Sequence, residues 1–232
     1  MTFVNACIYL HDVLGAEVPP FLLHSPWVGF TVADAVFPAF IIGVGLSAAV
    51  SLPSRPAEPW PVISKILRRS LRIFLLGVVI SNLGLIEREP GATFRVMGVL
   101  QRIAIVYAAV GVSLVYESPR SRALAAAALL AGYWAVLLVR PPGGSLDLTR
   151  PALDLPAWFD RRVLPGLLYV NGPQGFDPEG LLSTLPAIAQ GLLGAMIGNR
   201  LAKGASSVEL WRIGGFALAA GAATLVLSRA TC

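Results

Sequence analysis

The sequence has little charge, few cysteines and few histidines. Of its 232 residues, 13% are charged, 2 are cysteine and 2 are histidine. A soluble domain carries roughly 25% charged residues, so this composition argues against an ordinary soluble fold. Cys7 and Cys232 stand near opposite ends and form neither a CxxC motif nor a metal-ligand spacing. A disulfide between them is therefore not expected.

Several common motifs are also missing from the chain. No basic region precedes the first apolar residues, so a cleavable signal peptide is not expected. The sequence contains no GxSxG elbow, P-loop, GxGxxG fingerprint or lipid-anchor motif. Only His11 could join His24 as a metal ligand, and carboxylates do not cluster around them in sequence, so no metal site is predicted.

Apolar residues dominate the chain and occur in runs of membrane-spanning length. They make up 56% of the sequence, and the mean hydropathy is +0.72. A span needs about 20 apolar residues, so we predict an all-α, polytopic transmembrane helix bundle of about six full spans. Residues 1–10 are too short to span and resemble the second half of a helix, and the whole of 1–232 is predicted as one domain. The predicted helices are 34–52, 70–86, 96–116, 123–139, 180–200 and 211–228.

The connections between these helices alternate in charge. The basic loops are 53–69, 117–122 and 200–212, and the balanced or acidic ones are 11–33, 87–95 and 141–178. The net charge of +5 therefore indicates membrane topology rather than nucleic-acid binding. The positive-inside rule places the second set of loops on the extracytoplasmic side. Small residues in two helices favour close packing in lipid: Gly43, Gly45, Gly191, Gly194 and Gly198.

His24 and Asp34 are the first candidates for chemistry. His24 precedes the predicted helix, and an imidazole can act as general base, nucleophile or ligand. Beside Trp27 it also fits the membrane-interface rim. Asp34 follows Thr31 by three residues, which resembles a capping box. It could equally orient His24 as the acid of a triad does, and the two interpretations are compatible.

Gln101, Arg102 and Glu179 are further candidates. An arginine inside a membrane helix costs roughly 2.5–3.5 kcal/mol on insertion scales, so Arg102 should face the bundle interior or a polar cavity. It could instead snorkel or pair structurally with an acid, whereas its guanidinium also suits phosphate or carboxylate. Asp177 and Pro178 have the chemistry of a helix start, which leaves Glu179 free to face the same cavity.

Four blocks resemble the heparan-α-glucosaminide N-acetyltransferase family and its bacterial relatives. The order of the blocks and the predicted topology match that family, and the resemblance covers nearly the whole chain. The blocks are Phe3-Val4-Asn5, HSPWVGFTVADAVFP (residues 24–38), GVLQRI (98–103) and FDPEGLLSTLP (176–186).

The resemblance implies a fold, a reaction and site residues. Family members transfer an acetyl group from cytosolic acetyl-CoA to a glucosamine amine across the membrane. The resemblance implies that His24 is the active-site histidine and that Asp34, Asn5, Gln101 and Arg102 match family positions. Family members usually begin with a Ser-Leu-Asp-x-Phe-Arg-Gly block and continue for several more helices. By that comparison, the sequence is expected to be truncated at both ends.

From these observations and the family resemblance we predict that the protein is a membrane acyltransferase. His24 and Asp34 are the predicted catalytic residues, whereas Asn5, Gln101, Arg102 and Glu179 are predicted to bind substrate. The expected partners are the lipid bilayer, acetyl-CoA as donor, and a sugar or envelope component as acceptor. The expected location is the bacterial inner membrane, and a homo-oligomer is left open. The alternative is a transporter or channel-like module with Asp34 and Arg102 lining the path, which would not depend on coenzyme A.

Overall fold

The structure is a computed structural model that describes residues 11, 13–15, 17–25, 29–86 and 93–204. The chain divides into two compact units. Unit 1 comprises Met1–Phe40 and Arg200–Cys232, and unit 2 comprises Ile41–Asn199. The prediction of one domain over residues 1–232 stays a prediction.

Helices account for the regular structure of the described residues. A 3-10 turn covers Pro20–Leu22, and within these ranges the sole extended pairing is an isolated bridge between Val170 and Phe176. The all-α prediction is therefore confirmed for this part of the chain. The helices are α1 (Val32–Ser51), α2 (Pro59–Ser81), α3 (Leu83–Ile86), α4 (Val99–Tyr116), α5 (Pro119–Leu137), α6 (Leu155–Val163) and α7 (Thr184–Ala202).

Two of these helices are long and apolar enough to cross a membrane. Helix α1 has 20 residues and a mean hydropathy of 1.8, and α4 has 18 residues and a mean hydropathy of 1.7. The prediction of six spans is not confirmed by this finding. The predicted partial helix at 1–10 and the predicted last span at 211–228 lie outside the described residues.

Helix α2 corrects one sequence-based boundary. It begins at Pro59 rather than at residue 70, so most of the predicted basic loop 53–69 is helical. Proline suits the first turn of a helix, because the amide it lacks would have no partner there. The buried positions recur at helical spacing: Ile63, Ile66, Ser70 and Gly77. The cationic side chains lie on the exposed part of the same helix: Lys65, Arg68, Arg69 and Arg72. Basic residues therefore mark one helix face here, not the end of a helix.

Unit 2 is built on close helix contacts at glycine. Helix α2 runs antiparallel to α4, since Gly77 meets Gln101 near one end and Ile66 meets Gly111 near the other. A Cβ added at Gly111 would lie 2.9 Å from Ile66 Cγ2, so the absence of a side chain permits this approach. Small residues of this kind let backbones approach in membrane proteins.

Small residues predicted to favour close packing form the contact between α1 and α7 in unit 2. A side chain at Gly45 would collide with the backbone of Gly191, and one at Gly194 would collide with the backbone of Ile42. Gly43 has open space instead, so it does not take part in this contact. The pairing of α1 with α7 is a tertiary contact between segments about 150 residues apart in sequence, which only the fold could reveal.

Candidate functional site

The described part of unit 1 contains a hydrogen-bonded pair of His24 and Asp34. The Nδ1 atom of His24 lies 2.7 Å from Oδ1 of Asp34. The histidine side chain is 55% exposed and the aspartate side chain is 25% exposed. The pair therefore combines a carboxylate held at the start of α1 with an imidazole that small molecules can reach.

The local sequence explains why the carboxylate is fixed. The amide of Thr31 donates to Asp34 Oδ2 at 2.9 Å, and the amide of Asp34 donates to Thr31 Oγ1 at 3.4 Å. This reciprocal arrangement is a capping box at the first turn of α1. The amide of Ser25 also donates to Asp34 Oδ2, at 3.3 Å, and the Thr31 hydroxyl donates to the carbonyl of Leu23 at 2.7 Å. These bonds attach the segment carrying His24 to the helix that carries Asp34.

The geometry selects one tautomer of neutral His24. A carboxylate only accepts hydrogen bonds, so Nδ1 must carry the hydrogen that faces Asp34. The Nε2 atom then has the free lone pair and can accept a proton or attack an electrophile. Asp34 thus caps α1 and accepts a hydrogen bond from His24 with the same carboxylate, and its catalytic role stays a prediction.

Unit 2 contains a second polar cluster around Arg95. Its Nε donates to Asp177 Oδ2 at 3.0 Å, and its Nη2 donates to Asp177 Oδ1 and to Glu179 Oε2 at 2.5 Å each. The Asp177 side chain is fully buried, whereas Arg95 and Glu179 are 17% and 19% exposed. Burial alone would lower the pKa of Arg95, but hydrogen bonds and Coulombic attraction from the two carboxylates raise it overall.

Asp177 organises this cluster from the buried side. Its carboxylate accepts from the backbone amides of Tyr169 at 3.0 Å and of Glu179 at 2.9 Å, in addition to Arg95. The Arg95 guanidinium also lies 4.8 Å from the centre of the Tyr169 ring, at cation–π distance. The helix start predicted at Asp177 and Pro178 is wrong, because α7 begins at Thr184 and residues 177–183 form turns before it. Asp177 instead binds an arginine 82 residues away in the sequence.

Arg102 and Gln101 are buried on α4 and have different partners. Arg102 is 8% exposed and does not snorkel to the surface. Its Nη2 donates to the carbonyl of Pro178 at 2.8 Å and forms a short hydrogen bond with the Ser183 hydroxyl. Gln101 is fully buried, and its Nε2 donates to the carbonyl of Val96 at 3.0 Å. Their predicted roles in substrate binding stay predictions.

Asp160 is a buried acid that sequence reasoning missed. It is 2% exposed on α6, and its Oδ1 accepts from the amide of Leu181 at 3.0 Å. Burial raises the pKa of Asp160 to about 6; the Leu181 hydrogen bond and Arg102 oppose the shift, and Asp177 adds to it. Asp160 follows an ordinary N-cap, Asp154, and nothing in its spacing distinguishes it from a surface acid.

The structure thus brings some predicted site residues together. His24 and Asp34 are paired in unit 1, and Glu179 is paired with Arg95 in unit 2, close to the segment that holds Arg102. Asn5 lies outside the described residues. Arg95 was not singled out from the sequence, because a loop arginine without a motif carries no signal of its partners.

The chain is similar in sequence to known acetyltransferases. The model of the catalytic region of heparan-alpha-glucosaminide N-acetyltransferase matches residues 1–226, so the chain belongs to this family of acetyltransferases. Two relatives carry the name heparan-alpha-glucosaminide N-acetyltransferase. The mouse protein is 38% identical over 96 residues, covering 38% of this chain and 14% of its own length. The human protein is 28% identical over 229 residues, covering 77% of this chain and 34% of its own length.

The family and the enzyme class predicted from the sequence are confirmed by this match. The chain spans about a third of the length of the human relative it matches.

Proposed function

We propose that this chain transfers an acetyl group from acetyl-CoA to an amine or hydroxyl of a sugar or envelope component across a membrane. The observation that carries the proposal is the His24–Asp34 pair, in which Nδ1 lies 2.7 Å from the carboxylate and Nε2 has no hydrogen-bond partner among the residues that the structure describes. Acyl transfer from a thioester requires chiefly a positioned base or nucleophile, because the acyl group is already activated. The family match supports the reaction class.

His24 serves this reaction by one of two routes. In direct transfer, Nε2 takes the proton from the acceptor amine or hydroxyl as it attacks the thioester carbonyl, and returns a proton to the departing thiolate. In two-step transfer, Nε2 itself attacks the carbonyl and the C–S bond breaks, which gives an acetyl-imidazolium and the thiolate of coenzyme A; the thiolate takes up a proton from solvent. The acceptor then attacks the acetyl group of this imidazolium, loses a proton to solvent and regenerates neutral His24. In both routes Asp34 stabilises the positive charge that develops on the ring.

The membrane setting of this reaction follows from charge and hydropathy. Helices α1 and α4 are long and apolar enough to cross a bilayer. The predicted basic connections 117–122 and 200–212 alternate with the balanced or acidic ones 87–95 and 141–178, and this supports a location of the His24 segment on the extracytoplasmic side. We take the membrane to be a bacterial inner membrane. Acetyl-CoA would then be drawn from the opposite, cytoplasmic side. The family match favours this enzyme over a transporter, and no observation on the described residues favours the transporter.

The test combines acetyl-CoA binding with detection of a covalent adduct. The purified chain in detergent is incubated with acetyl-CoA, as wild type and as His24→Ala. Bound acetyl-CoA, the intact mass of the chain and transfer of the acetyl group to an added amino sugar are measured. His11→Ala is the matched control, because it removes the other histidine of the chain. An added acetyl group lost only in His24→Ala supports the two-step route. Binding and transfer that require His24 without an adduct support direct transfer.

Two outcomes would refute the proposal. Transfer that continues at the wild-type rate in His24→Ala would remove the histidine from the mechanism. Flux of a solute through the chain without any dependence on coenzyme A would favour the transporter instead.

A further inference from the structure

The first half of α2 carries four cationic side chains on one exposed side of the helix. Lys65 precedes Arg68 by three residues, Arg69 by four and Arg72 by seven, and these spacings place all four on the same side. We call this set the cationic face of α2. The helix contains neither aspartate nor glutamate, so its formal charge is +4.

The charge of the cationic face is not neutralised within the described ranges of the chain. None of its four side chains forms an ion pair there. Arg68 donates from Nε to the carbonyl of Ser64 at 3.2 Å, and Arg69 lies over the ring of Tyr107 at 4.9 Å. Neither contact removes a charge. Glu58, the residue before α2, is exposed and is not paired with any of these cations.

Beyond Arg72 the same side of α2 is apolar and also exposed. Leu76 and Val79 follow Lys65 by 11 and 14 residues, so they continue the line of the cationic face along the helix. Their side chains are 54% and 53% exposed, and residues 73–86 include no charged residue. A helix surface that is first cationic and then apolar matches the boundary between lipid headgroups and hydrocarbon.

The direction of the side chains agrees with such a boundary. Helical side chains lean toward the start of their helix, and Arg68 shows this lean in its bond to Ser64, one turn earlier. Long cationic side chains at a membrane surface lay their methylene groups on apolar surface and keep the charge among the headgroups. Trp60, in the first turn of α2, is 71% exposed and is of a residue type enriched at membrane interfaces.

The cationic face lies at the end of unit 2 that is predicted to be cytoplasmic. Because α2 and α4 are antiparallel, α2 begins where α4 ends, and the amide of Arg55 donates to the carbonyl of Leu114 there at 3.2 Å. The predicted cytoplasmic connection 117–122 follows α4 directly and contains the exposed Arg120. The cytoplasmic leaflet has a negative surface potential, which attracts clusters of four or more basic residues beside a membrane.

A second copy of the chain is a poorer occupant of this face than lipid. A two-fold symmetric contact presents the same surface from both copies. Such a contact through the cationic face would place four cations against the same four cations, without an acid of α2 to balance them. Charge complementarity therefore favours an anionic partner.

We propose that the cationic face of α2 binds the headgroup phosphates of anionic phospholipids, while Leu76 and Val79 contact the acyl chains of the same lipids. The cations attract the net negative charge of the headgroup, and the neighbouring apolar surface restricts the partner to an amphiphile. This binding requires neither His24 nor acetyl-CoA, so it is independent of the function proposed above.

The test measures lipid binding to the purified chain in detergent. Native mass spectrometry gives the apparent Kd of the first bound lipid for phosphatidylglycerol and for phosphatidylcholine with the same acyl chains. Both lipids carry a phosphate, but phosphatidylcholine is neutral overall, so the comparison isolates net charge. We expect phosphatidylglycerol to bind about tenfold more tightly. Inorganic phosphate at concentrations equal to those of the lipid should not displace it.

A triple variant assigns the preference to α2. Lys65→Gln, Arg68→Gln and Arg72→Gln are combined, and Arg69 is retained because it packs on Tyr107. This variant should bind the two lipids with affinities equal to within about twofold, since the attracting charge is lost.

A second triple variant controls for the change in net charge. It combines Arg140→Gln, Arg150→Gln and Arg162→Gln, which are exposed positions outside α2. We expect it to keep the preference of the wild type. Size-exclusion profiles establish that both triple variants are folded. If the α2 variant does not match the wild-type profile, its three single variants are measured in its place.

Four outcomes would overturn the lipid assignment. These are equal binding of both lipids by the wild type, a preference retained in the α2 triple variant or in every single variant, an equal loss of preference in the control variant, and displacement of the lipid by inorganic phosphate.

The lipid assignment and the proposed function can fail separately. Acetyl transfer through His24 in a chain without lipid preference would leave the function standing alone. A lipid preference in wild type and in His24→Ala, with no acetyl transfer by either, would leave the lipid surface standing alone.

Discussion

The two polar clusters of this chain differ in how they are built. The His24–Asp34 pair joins residues 10 positions apart, is partly exposed and uses a capping box that the local sequence encodes. The Arg95–Asp177–Glu179 cluster joins residues 82 and 84 positions apart around a fully buried carboxylate. In the first, Nε2 of His24 has no hydrogen-bond partner among the described residues, whereas in the second most polar side-chain atoms form hydrogen bonds within the fold. This contrast predicts that variants of the first cluster affect chemistry and that variants of Asp177 affect stability.

The largest expected effect is on catalysis at the exposed pair. Replacing Asp34→Asn lets an amide face Nδ1, so the imidazole hydrogen can move to Nε2 and block its lone pair. We expect acetyl transfer to fall by up to about 10⁴-fold, as for the acid of a catalytic triad. The rate of transfer from acetyl-CoA measures this. Asp147→Asn, in an exposed loop, serves as control. A rate within tenfold of wild type would show that Asp34 does not set the tautomer.

The second largest expected effect is a loss of folding stability when the Arg95–Asp177–Glu179 cluster is broken. Asp177→Ala leaves Arg95 with only one of its two carboxylate partners, Glu179, and removes the acceptor for the amides of Tyr169 and Glu179. Breaking a buried ion pair in this way costs about 3–5 kcal/mol. Thermal unfolding in detergent should show a large drop in midpoint, with Asp147→Ala as the exposed control. A midpoint equal to that of the control would contradict the structural role of Asp177.

Asp160, a buried acid that interacts electrostatically with Asp177, should make the stability of the folded chain depend on pH. Its pKa of about 6 in the folded chain lies above the ordinary 3.8, so the folded state binds the proton more tightly than the unfolded state. Stability should therefore be greatest when Asp160 is protonated and should fall as the pH rises from about 4 to 6. The difference is about 3 kcal/mol at most.

Unfolding midpoints measured from pH 4 to 8 test this expectation. Asp160→Asn keeps an acceptor for the Leu181 amide but cannot ionise, so it should flatten the profile over this range. Asp147→Asn should leave the profile unchanged, because Asp147 is an exposed loop acid outside this buried cluster. An Asp160→Asn profile that follows the wild type would rule out Asp160 as the titrating group.

The smallest expected effect concerns the cap that links the exposed pair to α1. Thr31→Ala removes the hydroxyl that bonds Asp34 and the carbonyl of Leu23. Loss of an N-cap side chain costs about 1 kcal/mol. Thr31→Ser keeps the hydroxyl and should retain the stability of the wild type in the same unfolding assay. Equal losses in both variants would assign the effect to the methyl group rather than the cap.

Sequence patterns correctly predicted features that depend on residues close together in the sequence. The all-helical class follows from long apolar runs, and the bounds of α1 and α4 follow the predicted segments to within three residues. The start of α2 was placed too late, because its cationic residues occupy one face of a helix that continues through them. The pairing of Thr31 with Asp34 was predictable because a capping box is a local spacing.

The sequence by itself determined the helical class, the family blocks and the capping box that places Asp34 beside His24. These depend on composition or on residues within about ten positions of each other, where chain geometry leaves few arrangements. Only the tertiary structure decided that Arg95 meets Asp177 and Glu179 and that Asp160 is buried. Those contacts join distant segments, and no local spacing encodes which loop an arginine will reach once the helices pack.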